Sequence, residues 1–121
     1  MKYVLLFNES QADFERRTDA AQSEAYWEAW KAYGKALREA GVGTTGIGLQ
    51  QPQTATTVRV REGKRQVHDG PYAETKEFLG GLFVVEVPDL DAALEWAARC
   101  PAAKSSSVEV RPAMSNCDEE H

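Results

Sequence analysis

An α+β fold, with one antiparallel sheet and two main helices on a single face, is what this chain of 121 residues predicts. Three observations carry that expectation. Short apolar or alternating runs at residues 3–7, 54–61, 64–68, 80–87 and 108–110 read as strands. Residues 19–40 and 90–99 repeat their apolar side chains every three or four positions, the period of a helix with one buried face. The order is strand, helix, hairpin, strand, helix, strand, with no internal repeat and no linker. Two amphipathic helices and one sheet pack most economically as a ferredoxin-like sandwich, both helices on one sheet face. The opposite face is then bare, and an apolar surface of that size calls for cover. The expectation is a homodimer whose sheets pack face to face, a dimeric α+β barrel.

Each element has a local cause. Residues 3–7 are continuously apolar, which predicts a strand buried on both faces. Ser10 followed by Asp13 fits a capping arrangement for a short helical turn. Along the first long helix Tyr26, Trp30, Tyr33 and Leu37 fall on one face, widened by Trp27, and Gly41 is a natural stop. Four glycines and a proline in residues 41–53 read as turns and a strand irregularity. Their order superficially matches a dinucleotide fingerprint, but that motif belongs between a strand and the start of a helix, and these glycines follow a helix. Glu62-Gly63 is a tight turn between two hairpin strands. Gly80-Gly81 permits a close backbone approach at the start of the strongest strand. Asp89 caps the second helix, Leu90, Ala93, Leu94 and Ala97 form its buried stripe, and Pro101 ends it. Residues 1–113 make one domain, and residues 114–121 form an acidic, flexible tail.

Composition narrows the partners. The hydrophobic share of 42% and charged share of 27% are globular. A net charge of −5 repels a phosphate backbone, so nucleic acid is not an expected partner. The basic run Arg59, Arg61, Lys64 and Arg65 reads as a solvated hairpin tip. Five apolar residues before Asn8 are too few for a signal-peptide core or a membrane span. Cys100 and Cys117 lack zinc-ligand spacing and make no disulfide framework, which predicts reduced thiols and a cytoplasmic protein. There is no metal-ligand spacing, Ser-His-Asp set or phosphate loop, so no cofactor is expected.

The densest chemistry is "HDGPYAETKE" at residues 68–77. Asp69-Gly70-Pro71-Tyr72 resembles the signature of the DGPF proteins, a branch of the YCII-related family. The likeness continues through residues 73–81, 87–103 and 108–112, and upstream through 1–7 and 53–64. It implies a dimeric ferredoxin-like fold and a small-molecule cleft between helix and sheet near the signature loop. It also implies two possible settings. Some relatives act on small substituted aromatic rings, and genes of this branch often neighbour those of extracytoplasmic-function sigma factors. Two departures stand out. Tyr72 replaces the usual phenylalanine, and no histidine lies between residues 18 and 41, so the family's helix histidine–aspartate pair has no counterpart. Tyr26 and Trp30 occupy that helix face instead.

The candidate acid–base residues are Asp69, Glu74 and Lys76. Asp69 either shapes the Asp-Gly-Pro turn or holds a substrate hydroxyl. Lys76 in an apolar cleft could bind or deprotonate an acidic substrate, with Glu74 beside it the better base. His68, Tyr72, Thr75, Tyr26 and Trp30 are candidate ligand contacts. His68 and Asp69 are neighbours on a strand, so their side chains should point to opposite faces, and His68 also reads as an exposed strand end. Two functions stay open: acid–base chemistry on a small ring or enol, and a non-catalytic accessory or sensor domain in a sigma-factor-linked stress response.

Overall fold

The computed structural model describes residues 1–71 and 75–114. Strand β1 (Lys2–Ser10) leads into helix α1 (Gln11–Arg16) and then the long helix α2 (Ser23–Glu39). Strand β2 (Gly43–Gly48), a 3₁₀ turn (Pro52–Thr54) and the hairpin strands β3 (Thr56–Arg61) and β4 (Lys64–Asp69) follow. Strand β5 (Glu77–Glu86), helices α3 (Leu90–Arg99) and α4 (Ala102–Ser105), and strand β6 (Ser107–Pro112) complete the chain. The main sheet is antiparallel with order β2-β5-β1-β6, the ferredoxin-like arrangement.

The hairpin is not in that sheet: β3 and β4 form a separate two-stranded sheet. The expectation of a single sheet is corrected by β2, which takes the edge position from within the glycine run. Glycines carry no side chain to alternate, so that strand had no period-two signal. Gly46 is there because a Cβ would sit 2.6 Å from the Phe83 ring.

β1 alternates strictly instead of being buried on both faces. Tyr3, Leu5, Phe7 and Glu9 are buried beneath the helices, and the residues between them are half-buried on the open face. Tyr33 and Leu37 of α2, Ala93 and Ala97 of α3, Cys100 and Ala102 join Tyr3, Leu5, Phe7 and Val85 in the core. The stripe of α3 is narrower than its sequence implied: Leu90 and Leu94 are 47% and 46% exposed, and alanines face the core. Two local predictions hold in detail. Ser10 and Asp13 form a reciprocal capping box on α1, and Asp89 accepts the Ala92 N–H at the start of α3.

A bulge decides what happens at the far end of β1. The β1–β5 register pairs Phe7 with Gly81 and Asn8 with Leu79, leaving Gly80 as the extra residue. Its carbonyl accepts from Leu49 N–H at 2.8 Å, tying the exit of β2 to the bulge. The site is built around this irregularity.

Candidate functional site

Period two puts Glu9 on the same face as Tyr3, Leu5 and Phe7, so a carboxylate enters the layer beneath the helices. It is 1% exposed. A buried carboxylate is costly unless paired, and here both oxygens are taken. Arg17, from the turn after α1, donates Nη2 to Oε1 at 2.5 Å, and Tyr26 of α2 donates its hydroxyl to Oε2 at 2.5 Å. Arg17 Nε in turn donates to the Tyr26 oxygen at 3.0 Å. The guanidinium also reaches the Leu49 carbonyl through Nη1 and the bulge carbonyl of Gly80 at 3.4 Å. Its Cζ lies 4.6 Å from the Phe14 ring centroid. Gly80 admits this packing because a Cβ there would meet Glu9 Oε1 at 2.6 Å.

Arg17 therefore fastens β1, β5, α2 and the exit of β2 with one side chain. Four of its five N–H donors are used, and one on Nη1 is left. Burial works against its charge, but the bonds to Glu9 and Tyr26 outweigh burial and hold its pKa above the ordinary value. The Tyr26 hydroxyl is pushed up, first by burial and then by its bond to Glu9. It keeps its proton at neutral pH and is a donor, not a base. The cluster can fix a cation beside an apolar space; it has no open proton-accepting atom near neutrality.

That space is a groove of about 900 Å³ between α2 and the β2 edge. Phe14, Tyr26, Trp27, Trp30 and Phe83 supply aromatic walls, Arg17 and Arg38 supply cations, and Leu49, Gln50 and Gln51 form an outer rim. Trp30 stacks near-parallel to Phe83, with centroids 6.2 Å apart and 16° between planes, and its ring lies 4.4 Å from that of Phe7. Arg38 lies exposed on the last turn of α2 and forms no ion pair among the described residues. A second crevice, about 600 Å³, lies on the other side of α2, and Tyr26 and Trp30 line both. They are the partition between the two spaces.

Of the ligand contacts expected from sequence, Tyr26 and Trp30 line the groove. His68 and Asp69 end β4, where every residue is exposed, and Thr75 and Lys76 are exposed as well. None of these four lines either cavity. The described cavities thus lie apart from the Asp-Gly-Pro corner, because the hairpin leaves the main sheet and carries the corner with it. Among the described residues two bonds close the corner, neither from the Asp69 carboxylate: Gly70 N–H donates to Ala55 C=O at 2.7 Å, and Thr57 Oγ1 donates to Gly70 C=O at 2.9 Å. Tyr72 and Glu74 lie outside the described residues. Sequence reasoning passed over Glu9 and Arg17. The available signal was a carboxylate at an inward position of β1, two residues beyond Phe7. Among the described residues no cluster of three or more His, Cys, Asp or Glu is placed to hold a metal, and no helix is long and apolar enough to cross a membrane.

Comparison with known proteins agrees with this architecture. A 5-chloro-2-hydroxyhydroquinone dehydrochlorinase from Burkholderia phenoliruptrix AC1100, solved with 2,5-dihydroxybenzoquinone, superposes with a TM-score of 0.55. The match covers 94% of each chain at 14% identity, which shows a shared fold. The uncharacterized protein R00369 of Rhizobium meliloti (strain 1021) is 45% identical over 60 residues. That alignment spans 48% of each chain, about half the length of the curated relative. The sequence pattern of the YCII-related domain matches residues 1–115, nearly the whole chain. On that match, and with the fold in agreement, the chain belongs to the YCII-related family.

Proposed function

We propose that this protein binds a small planar molecule with an acidic oxygen, such as a phenol or enol, in the groove beneath α2. The observation that carries the reading is the pairing of aromatic walls with two arginines in one space of about 900 Å³, a size and composition suited to a small ligand. Apolar rings bury the flat body of such a ligand, Arg38 meets its charge, and the remaining N–H of Arg17, whose own charge is paired with Glu9, donates to its oxygen. The dehydrochlorinase that shares the fold holds a dihydroxybenzoquinone, a molecule of this description. In the enzymatic form of this reading, Arg17 stabilises negative charge developing on a ring oxygen, and the described lining of the groove supplies no carboxylate or imidazole to accept a proton. The alternative is a sensor that binds the same ligand class without turnover. We also propose a cytoplasmic homodimer in which two copies cover each other's open sheet face, where Ile47 and Leu79 are 53% and 42% exposed.

A thermal-shift screen of 2,5-dihydroxybenzoquinone, small phenols, lactones and keto acids tests the reading. A stabilising compound should lose its effect in Trp27→Ala and Arg38→Gln. Stabilisation that survives both but disappears in Asp69→Asn or Lys76→Ala would move the site to the loop and overturn the groove assignment. Turnover of a bound compound, followed by product analysis, separates enzyme from sensor.

A further inference from the structure

The two cations of the groove are not equivalent. Arg17 spends its charge on Glu9, 2.5 Å away, and keeps a single N–H on Nη1. Arg38 forms no ion pair among the described residues, and the described lining of the groove holds no Asp or Glu. One end of the space therefore offers a charge-balanced donor, and the other offers an uncompensated cation.

Gly34 keeps that second cation open. Glycine weakens the interior of a helix, yet Gly34 lies well inside α2. The helix backbone and adjoining residues aside, a Cβ there would meet one described atom within 4 Å, Arg38 Nη1 at 3.4 Å. Long helical side chains lean back over the preceding turn, so Arg38 lies along the wall above Gly34, and both residues line the groove. Position 34 is also four residues before Arg38, where an acid would pair with it. Glycine leaves that place empty. The neighbouring acid on the helix, Glu39, pairs with Lys35 at 3.7 Å instead.

The span between the two ends follows from the helix. Arg17 bonds to Tyr26, and Arg38 reaches back to Gly34, eight residues further along α2. At 1.5 Å per residue the two guanidinium groups are separated by roughly 12 Å along the axis. Trp27 and Trp30 lie between these levels and line the space. A six-membered ring with a carboxylate at one corner and an oxygen at the opposite corner spans roughly 6–7 Å between oxygens, and a hydrogen bond of about 2.9 Å at each end brings the total to about 12 Å.

From this asymmetry we infer that the groove takes an aromatic carboxylate with a hydroxyl or carbonyl oxygen para to it. The carboxylate sits on the open fork of Arg38, which matches it bidentately. The para oxygen accepts from the remaining N–H of Arg17. The inference rests on the groove reading above and adds the ligand's second polar end and its orientation.

Calorimetric titration of the full chain at neutral pH with 4-hydroxybenzoate, 2-hydroxybenzoate and 4-hydroxybenzamide tests this. The ortho isomer shortens the span, and the amide removes the charge. The wild type should bind 4-hydroxybenzoate at least ~5-fold more tightly than either. Arg38→Gln should abolish the preference over the amide. Gly34→Glu should do the same, because it supplies the missing acid, whereas Gly34→Ala should keep the preference. Both Gly34 variants should raise the melting temperature, which separates loss of selectivity from loss of fold. Equal affinity for the three compounds, or a carboxylate preference that survives Arg38→Gln or Gly34→Glu, overturns the orientation; if Trp27→Ala still abolishes binding, the groove reading stands. Binding that ignores Trp27→Ala overturns both. No binding of any of the three at about 1 mM overturns the carboxylate assignment and leaves the groove reading to the screen described above.

Discussion

Replacing Arg17 by methionine is the sharpest test of how the site is held. Methionine keeps an apolar stem against Phe14 but removes the cation. Glu9, whose side chain is 2% exposed, would be left with the Tyr26 hydroxyl alone, and the carbonyls of Leu49 and Gly80 would lose their guanidinium donors. Breaking a buried ion pair by removing one partner costs about 3–5 kcal/mol, because the surviving charge is stranded. The Arg17 side chain is itself only 14% exposed, so solvent screening removes little of this. For a domain of this size each kcal/mol moves the melting temperature by roughly 4 °C, so a drop of roughly 12–20 °C is expected. Urea denaturation followed by tryptophan fluorescence measures the free energy, and calorimetry measures the temperature. Glu9→Gln/Arg17→Met adds a second arm to the experiment. With the stranded charge gone, the double variant should be more stable than the sum of the two single losses by at least ~1 kcal/mol. A loss below about 1 kcal/mol for Arg17→Met, with strictly additive singles, would show that water already reaches Glu9 and would refute the description of a desolvated clamp.

Other outcomes follow from the same geometry. Gly80→Ala places a methyl group against a carboxylate pinned on both oxygens and should cost about 1–3 kcal/mol in the same urea titration. Stability should fall on the alkaline side. Burial raises the Cys100 thiol from 9.0 to about 11 and also raises the Tyr33 and Tyr26 hydroxyls. A group raised on folding contributes stability that is intact below its unfolded pKa and is lost as pH climbs to the folded value. The loss should therefore begin near pH 9, with Cys100 accounting for about 2 kcal/mol by pH 11. Cys100→Ala should delay its onset, and a flat profile from pH 8 to 11 would contradict this. Asp13 behaves in the opposite sense. Burial raises its carboxyl, but bonds from Ser10 and Ser105 and the Arg16 charge together hold it below 3.8, so its contribution is present above that pH and lost on acidification. In a Cys117→Ser background, Ellman's reagent should find no reactive thiol in the native protein and one after unfolding, since Cys100 is 1% exposed.

Much of the architecture was legible because it rests on local rules. Spacing located α2 within a few residues at its start, and a capping aspartate and a following proline bounded α3 at Leu90–Arg99. Ser10 and Asp13 declared α1 by their separation alone. The ferredoxin-like order followed because two one-faced helices and one sheet have few ways to bury what they carry.

What the sequence could not decide was long-range. β2 was hidden because glycine has no side chain to alternate, and its need for glycine comes from Phe83, far along the chain. The site itself depends on Gly80 being expelled from the β1–β5 ladder, so that Glu9, Arg17, Tyr26 and two carbonyls converge. No local pattern encodes that meeting, since its members come from three separate elements, the turn after α1 and the segment just past β2. The polar loop at residues 68–77 stands out for its density of ionisable groups, whereas Glu9 and Arg17 lie in residues 8–19, a stretch as polar as the loop and unmarked by any catalytic or binding motif. Composition along the chain marks where charge is plentiful. Only packing decides where charge is desolvated, because burial is set by what the rest of the fold places around it.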